Sequence, residues 1–365
     1  MVVRVAQWAT GAVGRAQLQE IIRHPDYDLV GVLVYDPVKD GLDAGALCGL
    51  DPTTGVTATT DKDAIIALGA DVVIHAASKA HAAETNAQDI CRLLAAGTSV
   101  ITTTSYNHLP TYGAELHSAF TRACSTGRSR FHAAGENPGF MLERLAMTVT
   151  GLIKRLDRID LYEATDVSGI DSRPMLVDLM GMGRRPQDVS TDSPIVKKLD
   201  MAYRQALDAT AAVLGIRLSE VRATVECTTL SRDIEVAVGP IEAGTVVGQR
   251  FSWVGRWNDR DLLAIHEEWV LTRDLPQWGL RPLAPGEKAP LIRAVISGVP
   301  SFELQLEVGW DEVPPELAGT SPGHLMIGMS AVRAIPDVLS APPGIVTAPV
   351  FGALRLGGHD IPVHR

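Results

Sequence analysis

A chain of 365 residues, 46% of them hydrophobic, can bury a large core and exceeds the size at which single cores divide, so two domains are expected. Its formal net charge of -10 is spread without a basic block, which excludes a track for the phosphate backbone of nucleic acid. No apolar run approaches the roughly 18 residues of a membrane span and no signal-like leader opens the chain, while Cys48, Cys91, Cys124 and Cys227 lack the CxxC spacing of a zinc cage or disulfide framework; a soluble, unexported protein of the reducing cytoplasm, without a bound metal, is expected.

In chain order, "VVRVAQW" has the pattern of a first strand, Arg15 to Arg23 that of a helix and "DLVGVLVY" that of a second strand. Asp61 to Leu68 continues as helix, "DVVIHAA" as strand, Ala82 to Ala96 as helix ended by Gly97, and "SVITTT" as strand. Leu116 to Cys124 is then helical and "RFHAAG" extended. These strands are apolar almost throughout, as strands covered on both faces must be, and their alternation with helices predicts a parallel sheet. Residues 1–150 are therefore expected to form a doubly wound, Rossmann-like α/β domain.

From about Leu152 the strands lengthen and mix polar with apolar residues: "RIDLYEATDV", "EVRATVECTTL", "TVVGQRFSWVGRW" and "LLAIHEEWVLT". Few helices separate them, so a largely antiparallel sheet is expected over 151–320, with one long helix, Ile195 to Leu214, across a face: an α+β substrate-binding and dimerisation domain. The last segment, 321–365, is expected to return to the first domain, as a helix stopped by Pro336 and a Pro/Gly-rich connection.

The first strand-to-helix turn is "ATGAVG". A dinucleotide-binding GxGxxG needs its first glycine for a tight turn, its second for close approach of the pyrophosphate and its third for packing of helix on strand. Here Ala9 replaces the first, and Gly11 and Gly14 keep the other two. A helix N-terminus in this context favours an anion, so Thr10, Gly11, Ala12, Val13 and Gly14 are candidate cofactor contacts. Asp36, 22 residues after Gly14, stands where a carboxylate would read the adenosine ribose of NAD; Lys39 beyond it could instead pair with the 2'-phosphate of NADP. Either nucleotide is open.

The combination "VAQWATGAVGRAQL", "DAGALCGL", "VITTTSYNHLP", "GENPGF", "RPMLVDLMGMGRRP" and "AIPDVLSAPPGIVT" resembles the actinobacterial dihydrodipicolinate-reductase-like proteins, which are similar to 2,4-diaminopentanoate dehydrogenase and the native amine dehydrogenases. The resemblance implies a nicotinamide cofactor, a Rossmann domain with an α+β substrate domain, and a homodimer. Two departures stand out. The His-His and Lys cluster and "DAPSGTA"-like loop of true dihydrodipicolinate reductases are replaced by "LYEATDVSGIDSRPMLVDLM". Where native amine dehydrogenases carry a glutamate beyond the strand equivalent to "VITTT", this chain has Ser105-Tyr106-Asn107-His108.

In an open α/β sheet the ligand crosses the carboxyl ends of the strands, which here are followed by Ala77 and Ser78, by Thr103, and by Asn137-Pro138-Gly139. Ala77, Ser78, Thr103, Asn137 and Pro138 are thus further cofactor candidates, whereas His75, at the tail of an apolar strand, fits a buried structural histidine as well. Hydride transfer needs positioning and an acid or base near neutral pH; Tyr106, His108 and Glu136 are the candidates. Glu136 could do the work of the family's absent glutamate. From the second domain, Tyr162 and His266 sit on strand faces suited to a pocket, and Met175 opens a methionine-rich stretch able to form an adaptable apolar wall. The expected function is NAD(P)-dependent hydride transfer to or from a carbonyl or imine/amine carbon of a fairly apolar small molecule. Ammonium-dependent reductive amination of ketones, and a non-catalytic NAD(P)-binding sensor, are the alternatives.

Overall fold

A computed structural model of the chain describes residues 2–51, 53–77, 83–284, 290–309 and 315–357. The described residues form two compact units: the first runs to Phe140 and takes in 315–349, and the second starts at Met141 and takes in 350–357.

The first unit opens with β1 (Val3–Trp8), α1 (Ala12–Arg23), β2 (Tyr27–Leu33), α2 (Ala44–Cys48), β3 (Ala58–Thr59) and α3 (Lys62–Ala67), then β4 (Val72–His75), α4 (Ala83–Ala95), β5 (Ser99–Thr102), α5 (Ala114–Gly127) and β6 (Arg130–Ala133). Helix α1 starts three residues before Arg15 because Gly11, in extended backbone, already serves as its N-cap. Helix α3 is capped by the Asp61 carboxylate, which accepts from the amides of Asp63 and Ala64 at 2.9 and 3.1 Å. Helix α5 outruns the expected Leu116–Cys124 at both ends; it is stopped by Arg128, whose φ of 52° cannot continue a right-handed helix.

The second unit contains α6 (Met147–Val149), β7 (Arg155–Asp166), α7 (Pro194–Val213), β8 (Glu220–Thr229), β9 (Ile234–Val236), β10 (Gly239–Ile241), β11 (Val246–Trp257), β12 (Arg260–Val270), β13 (Pro290–Val299) and β14 (Phe302–Glu307). Six strands make one sheet in the order β14-β13-β7-β12-β11-β8. Every neighbouring pair is antiparallel except β7 and β12, which run parallel with Tyr162 beside His266. Helix α7 covers one face: Trp253 donates from its indole Nε1 to Asp200 at 3.0 Å, and Tyr203 donates to Glu267. Tyr162, Arg250, His266 and Glu268 alternate onto the other face.

The chain then gives the first unit α8 (Pro322–Arg333), α9 (Ile335–Ser340) and β15 (Gly344–Ile345). Pro336 does not stop a helix, as its ring suggested; it lies in the first turn of α9, where a missing N–H costs nothing. The Pro/Gly-rich connection behind it supplies β15, which pairs parallel to β6. The completed sheet has the order β15-β6-β5-β4-β1-β2-β3, all parallel. Apolar layers cover both of its faces: Ala6, Val73, Val100 and Phe131 pack with Ile90, Leu93 and Phe120 on one, and Val5, Val72, Ile74 and Ile101 with Ile21, Val332 and Ile335 on the other. The unit boundaries differ from the expected 150 and 320. The turn Met141–Ala146 packs on α7, and residues 350–357 leave the first unit, with Leu354 bonded to Thr150 and Leu356 to Leu214. Among the described residues no helix is long and apolar enough to cross a membrane.

Candidate active site

Strand order reverses beside β1, whose neighbours are β2 and β4, and an open α/β sheet binds its ligand at the carboxyl ends of the strands at such a reversal. The loop between β1 and α1 follows the carboxyl end of β1. Ala9 adopts φ 78°, the left-handed backbone that the missing glycine would take without strain. Its carbonyl is held by Gln7 Nε2 at 3.0 Å, which also donates to Gln17 at 3.0 Å, so two buried glutamines brace the turn. A polar residue within β1 and another on the buried face of α1 are the sequence signals for this brace.

Gly11 and Gly14 are glycines for opposite reasons. A Cβ on Gly14 would lie 2.2 Å from the Ala9 carbonyl oxygen, so close helix-to-strand packing forbids it. A Cβ on Gly11 would meet nothing within 4 Å, and its φ of -72° is open to any residue. The protein itself makes no demand for glycine there, and the open space lies before the amides of Ala12, Val13 and Gly14, which have no intrahelical acceptors. That space and those donors fit the pyrophosphate of a dinucleotide. Thr10 is buried beside them, and Lys39 reaches back to it, with Nζ 3.2 Å from the Thr10 carbonyl and 3.4 Å from its hydroxyl.

Asp36 stands exposed just past the end of β2, and one of its oxygens accepts from the Val38 amide at 3.0 Å. This bond caps the short turn Pro37–Lys39 and fixes the carboxylate just past the carboxyl end of β2. A carboxylate here accepts from ribose hydroxyls, while the ammonium of Lys39, held at the phosphate loop, is a counter-charge for phosphate; the pair fits NAD and NADP alike.

At the ends of β4, β5 and β6 the candidates separate. His75 is fully buried, stacked on Trp8 at 5.9 Å and bonded through Nδ1 to Thr102 at 3.1 Å; burial holds its imidazole neutral, with a pKa of about 3. Ala77 is buried in the core below the loop, Thr103 extends the ladder by donating to the His75 carbonyl at 2.9 Å, and Ser78 lies outside the described residues. Ser105 and Tyr106 both have left-handed backbone, φ 77° and 70°. Nothing in their residue types announces it. The Tyr106 ring turns into the core, 5.2 Å from Tyr112 and 5.6 Å from Phe120, and burial raises its hydroxyl pKa further above neutrality. Tyr106 thus packs in the core, with its hydroxyl held in the protonated form.

The same kink leaves Asn107 and His108 half-buried at the sheet edge. Asn107 Nδ2 donates to the Ala133 carbonyl at 3.4 Å and ties this loop to β6, and Thr111 Oγ1 lies 2.8 Å from His108 Nδ1 and orients the ring. Beyond β6, Gly135 and Gly139 fold the chain back on itself: Cβ atoms there would lie 2.3 Å from the Pro138 carbonyl and 2.8 Å from Asn107 Nδ2. This turn presents Glu136, 7% exposed, beside half-buried Asn137 and buried Pro138.

In the second unit, Tyr162 stacks on His266 at 4.3 Å. His266 bonds Ser252 through Nδ1 at 2.7 Å and Asp160 through Nε2 at 2.9 Å. Burial alone would raise the Asp160 carboxyl, but hydrogen bonds and charge from His266 and Arg158 outweigh it and hold the pKa below the usual range. Met175 is 47% exposed and does not line the cavity beside Tyr162, whereas Met180 and Met182 are buried. The structure therefore brings Tyr162 and His266 together and leaves Met175 apart from them.

No family model matches the chain. Over 351 residues it is 30% identical to an amine dehydrogenase of Streptomyces virginiae, covering 93% of this chain and 94% of that protein. The solved structure of an amine dehydrogenase from Mycobacterium smegmatis superposes with a TM-score of 0.64 at 20% identity, over 98% of this chain and 97% of that one, and shares its fold. With a dinucleotide-shaped loop at the switch point of a parallel sheet and a relative that matches from end to end, the chain belongs to the amine dehydrogenase family, as an NAD(P)-dependent oxidoreductase.

Proposed function

We propose that the protein interconverts an amine and its carbonyl counterpart, in the direction of ammonium-dependent reductive amination, on a fairly apolar small molecule. The carboxylate of Glu136, buried at the carboxyl end of β6, carries this reading. It stands in for the glutamate that Ser105-Tyr106-Asn107-His108 lacks. A bound nicotinamide supplies or accepts the hydride. The chain's part is to hold the cationic nitrogen and move its proton: a carboxylate removed from water attracts an ammonium or iminium strongly and takes up the proton the nitrogen sheds. Gly135 and Gly139 fix the carboxylate's position through the turn they allow, and the Asn107 tether to Ala133 keeps the neighbouring loop in register with it.

A second reading, carbonyl reduction without ammonium, draws on His108, whose ring is oriented by Thr111 and whose residue type serves as a general acid. Tyr162 and His266 remain the substrate-side candidates. A homodimer in the reducing cytoplasm completes the proposal, and sedimentation velocity of the purified protein tests the assembly.

NADH and NADPH oxidation over a ketone panel, with and without ammonium, separates the readings. Amination requires a rate that depends on ammonium, and Glu136→Gln should lower it by about 10²-fold while dinucleotide affinity stays within about threefold. A rate indifferent to ammonium would overturn amination in favour of carbonyl reduction. Dinucleotide binding with no hydride exchange across the panel would favour the sensor.

A further inference from the structure

The open face of the second unit's sheet carries a set of charges that does not close on itself. After β12 the chain turns over this face: Leu271 N donates to Val247 O at 2.8 Å, and the short turn Pro276–Trp278 follows. Beneath it lies a cavity of about 230 Å³ lined by Tyr162, Glu268, Arg273, Trp278, Arg293 and Gln305, among others. It adjoins a hollow of about 440 Å³ that shares Arg273, Gly279, Leu280 and Gln305 and adds Arg281 and Glu307 at its outer side.

Two of the three arginines around Tyr162 and Trp278 are answered. Arg250 donates to Glu268 at 2.7 Å and lies 4.7 Å over the Trp278 ring; Arg293 lies 4.2 Å over the Tyr162 ring and 3.8 Å from Glu303. Arg273 is not. It is 9% exposed, its Nε and Nη1 are shut off from solvent, and among the described residues neither has a hydrogen-bond partner. A guanidinium cannot discharge itself by losing a proton, so a buried one without acceptors calls for an anion. Glu268 is the weaker counter-charge for it, because burial raises its pKa and Arg250 already holds it.

We propose that this cavity binds a small organic acid, its carboxylate or phosphate on Arg273 and its apolar part against the Tyr162 and Trp278 rings. The site belongs to the second unit; it shares the Tyr162 ring with the substrate-side candidates named above but does not rest on that reading. Guanidinium suits either anion by its fork of donors, and the Tyr162 and Trp278 rings bordering the cavity favour a ligand with an apolar body.

Titration of the full-length protein with benzoate, followed by calorimetry and tryptophan fluorescence at low salt, tests this, with inorganic phosphate as a parallel arm for the bare anion. Saturable benzoate binding is expected, weakened by about tenfold or more in Arg273→Met and partly retained in Arg273→Lys. Leu280→Trp fills the space from its other wall without touching the guanidinium, and should also abolish binding. Far-UV circular dichroism and the thermal melt of each full-length variant report whether the second unit is folded and should match wild type. Absence of saturable binding by the wild-type protein, or equal affinity in Arg273→Met and Leu280→Trp, would overturn the site. So would dissociation of a wild-type dimer by Arg273→Met without benzoate binding, since the anion would then be a carboxylate of a second copy of the chain.

Discussion

Replacing Gly11 by valine separates what the fold needs from what the ligand needs. The structure leaves the position empty: a Cβ there touches nothing within 4 Å, and the extended backbone at φ -72° suits a β-branched residue. The cost to folding is confined to the poorer N-cap that valine makes, about 1 kcal/mol, or roughly 2–4 °C in melting temperature for a unit of this size. The cost to the ligand is larger. The side chain would occupy the space before the amides of Ala12, Val13 and Gly14, and loss of two charge-assisted hydrogen bonds to phosphate, at about 1.5–3 kcal/mol each, weakens dinucleotide binding by about 10²- to 10⁴-fold. Isothermal titration with NADH and NADPH, beside thermal melts of both proteins, measures the two effects separately. Affinity within about threefold of wild type would refute the assignment of this loop to the pyrophosphate. A collapse in melting temperature would refute the claim that the chain itself is indifferent to glycine here.

Gly14→Ala should behave in the opposite way: its Cβ would lie 2.2 Å from the Ala9 carbonyl, so the unit should lose about 1–3 kcal/mol by overpacking, read as a lower melting temperature in the absence of nucleotide. Asp36→Ser should weaken NADH binding more than NADPH binding, several-fold in the ratio of dissociation constants; an equal loss for both would mean that Asp36 does not meet the ribose. The pKa of Asp160 lies below its unfolded value, so its stabilising effect is present above the ordinary carboxylate pKa of about 3.9 and fades as pH falls through the lower folded value. Melts of wild type and Asp160→Asn should therefore differ at pH 7 and converge as pH falls below the ordinary carboxylate pKa of about 3.9. A gap that persists in acid would show that the His266 and Arg158 bonds do not depend on the charge.

Much of the first unit was legible because its signals are local. Apolar runs such as "VVIH" are buried along their whole length, and the spacing of Gly11 and Gly14 announces the phosphate loop without any tertiary information. Other features depend on partners remote in sequence. Tyr106 follows a strand as a proton donor would, but its ring direction is set by a left-handed kink and by Phe120, fourteen residues on. Pro336 carries the same chemistry whether it ends one helix or begins the next; packing of α9 against β6 decides between them. Arg273 lies in a segment without periodicity, and its burial comes only from the fold of the chain over the sheet. Local chemistry thus pointed to a candidate nucleotide loop, and left the second unit's charged face hidden.

The parallel pairing of β7 with β12 has a consequence for how the protein is made. Ile159 aligns with Leu263, so about 100 residues of intervening chain must be threaded before this pair can close, and loop-closure entropy makes such contacts slow to form. β13, on the other flank of β7, is synthesised later still. During synthesis β7 therefore waits with both edges bare until β12 and β13 follow. Such edges are templates for wrong pairing between chains. Nascent chains that end before β12 should aggregate more than those that reach the end of β13.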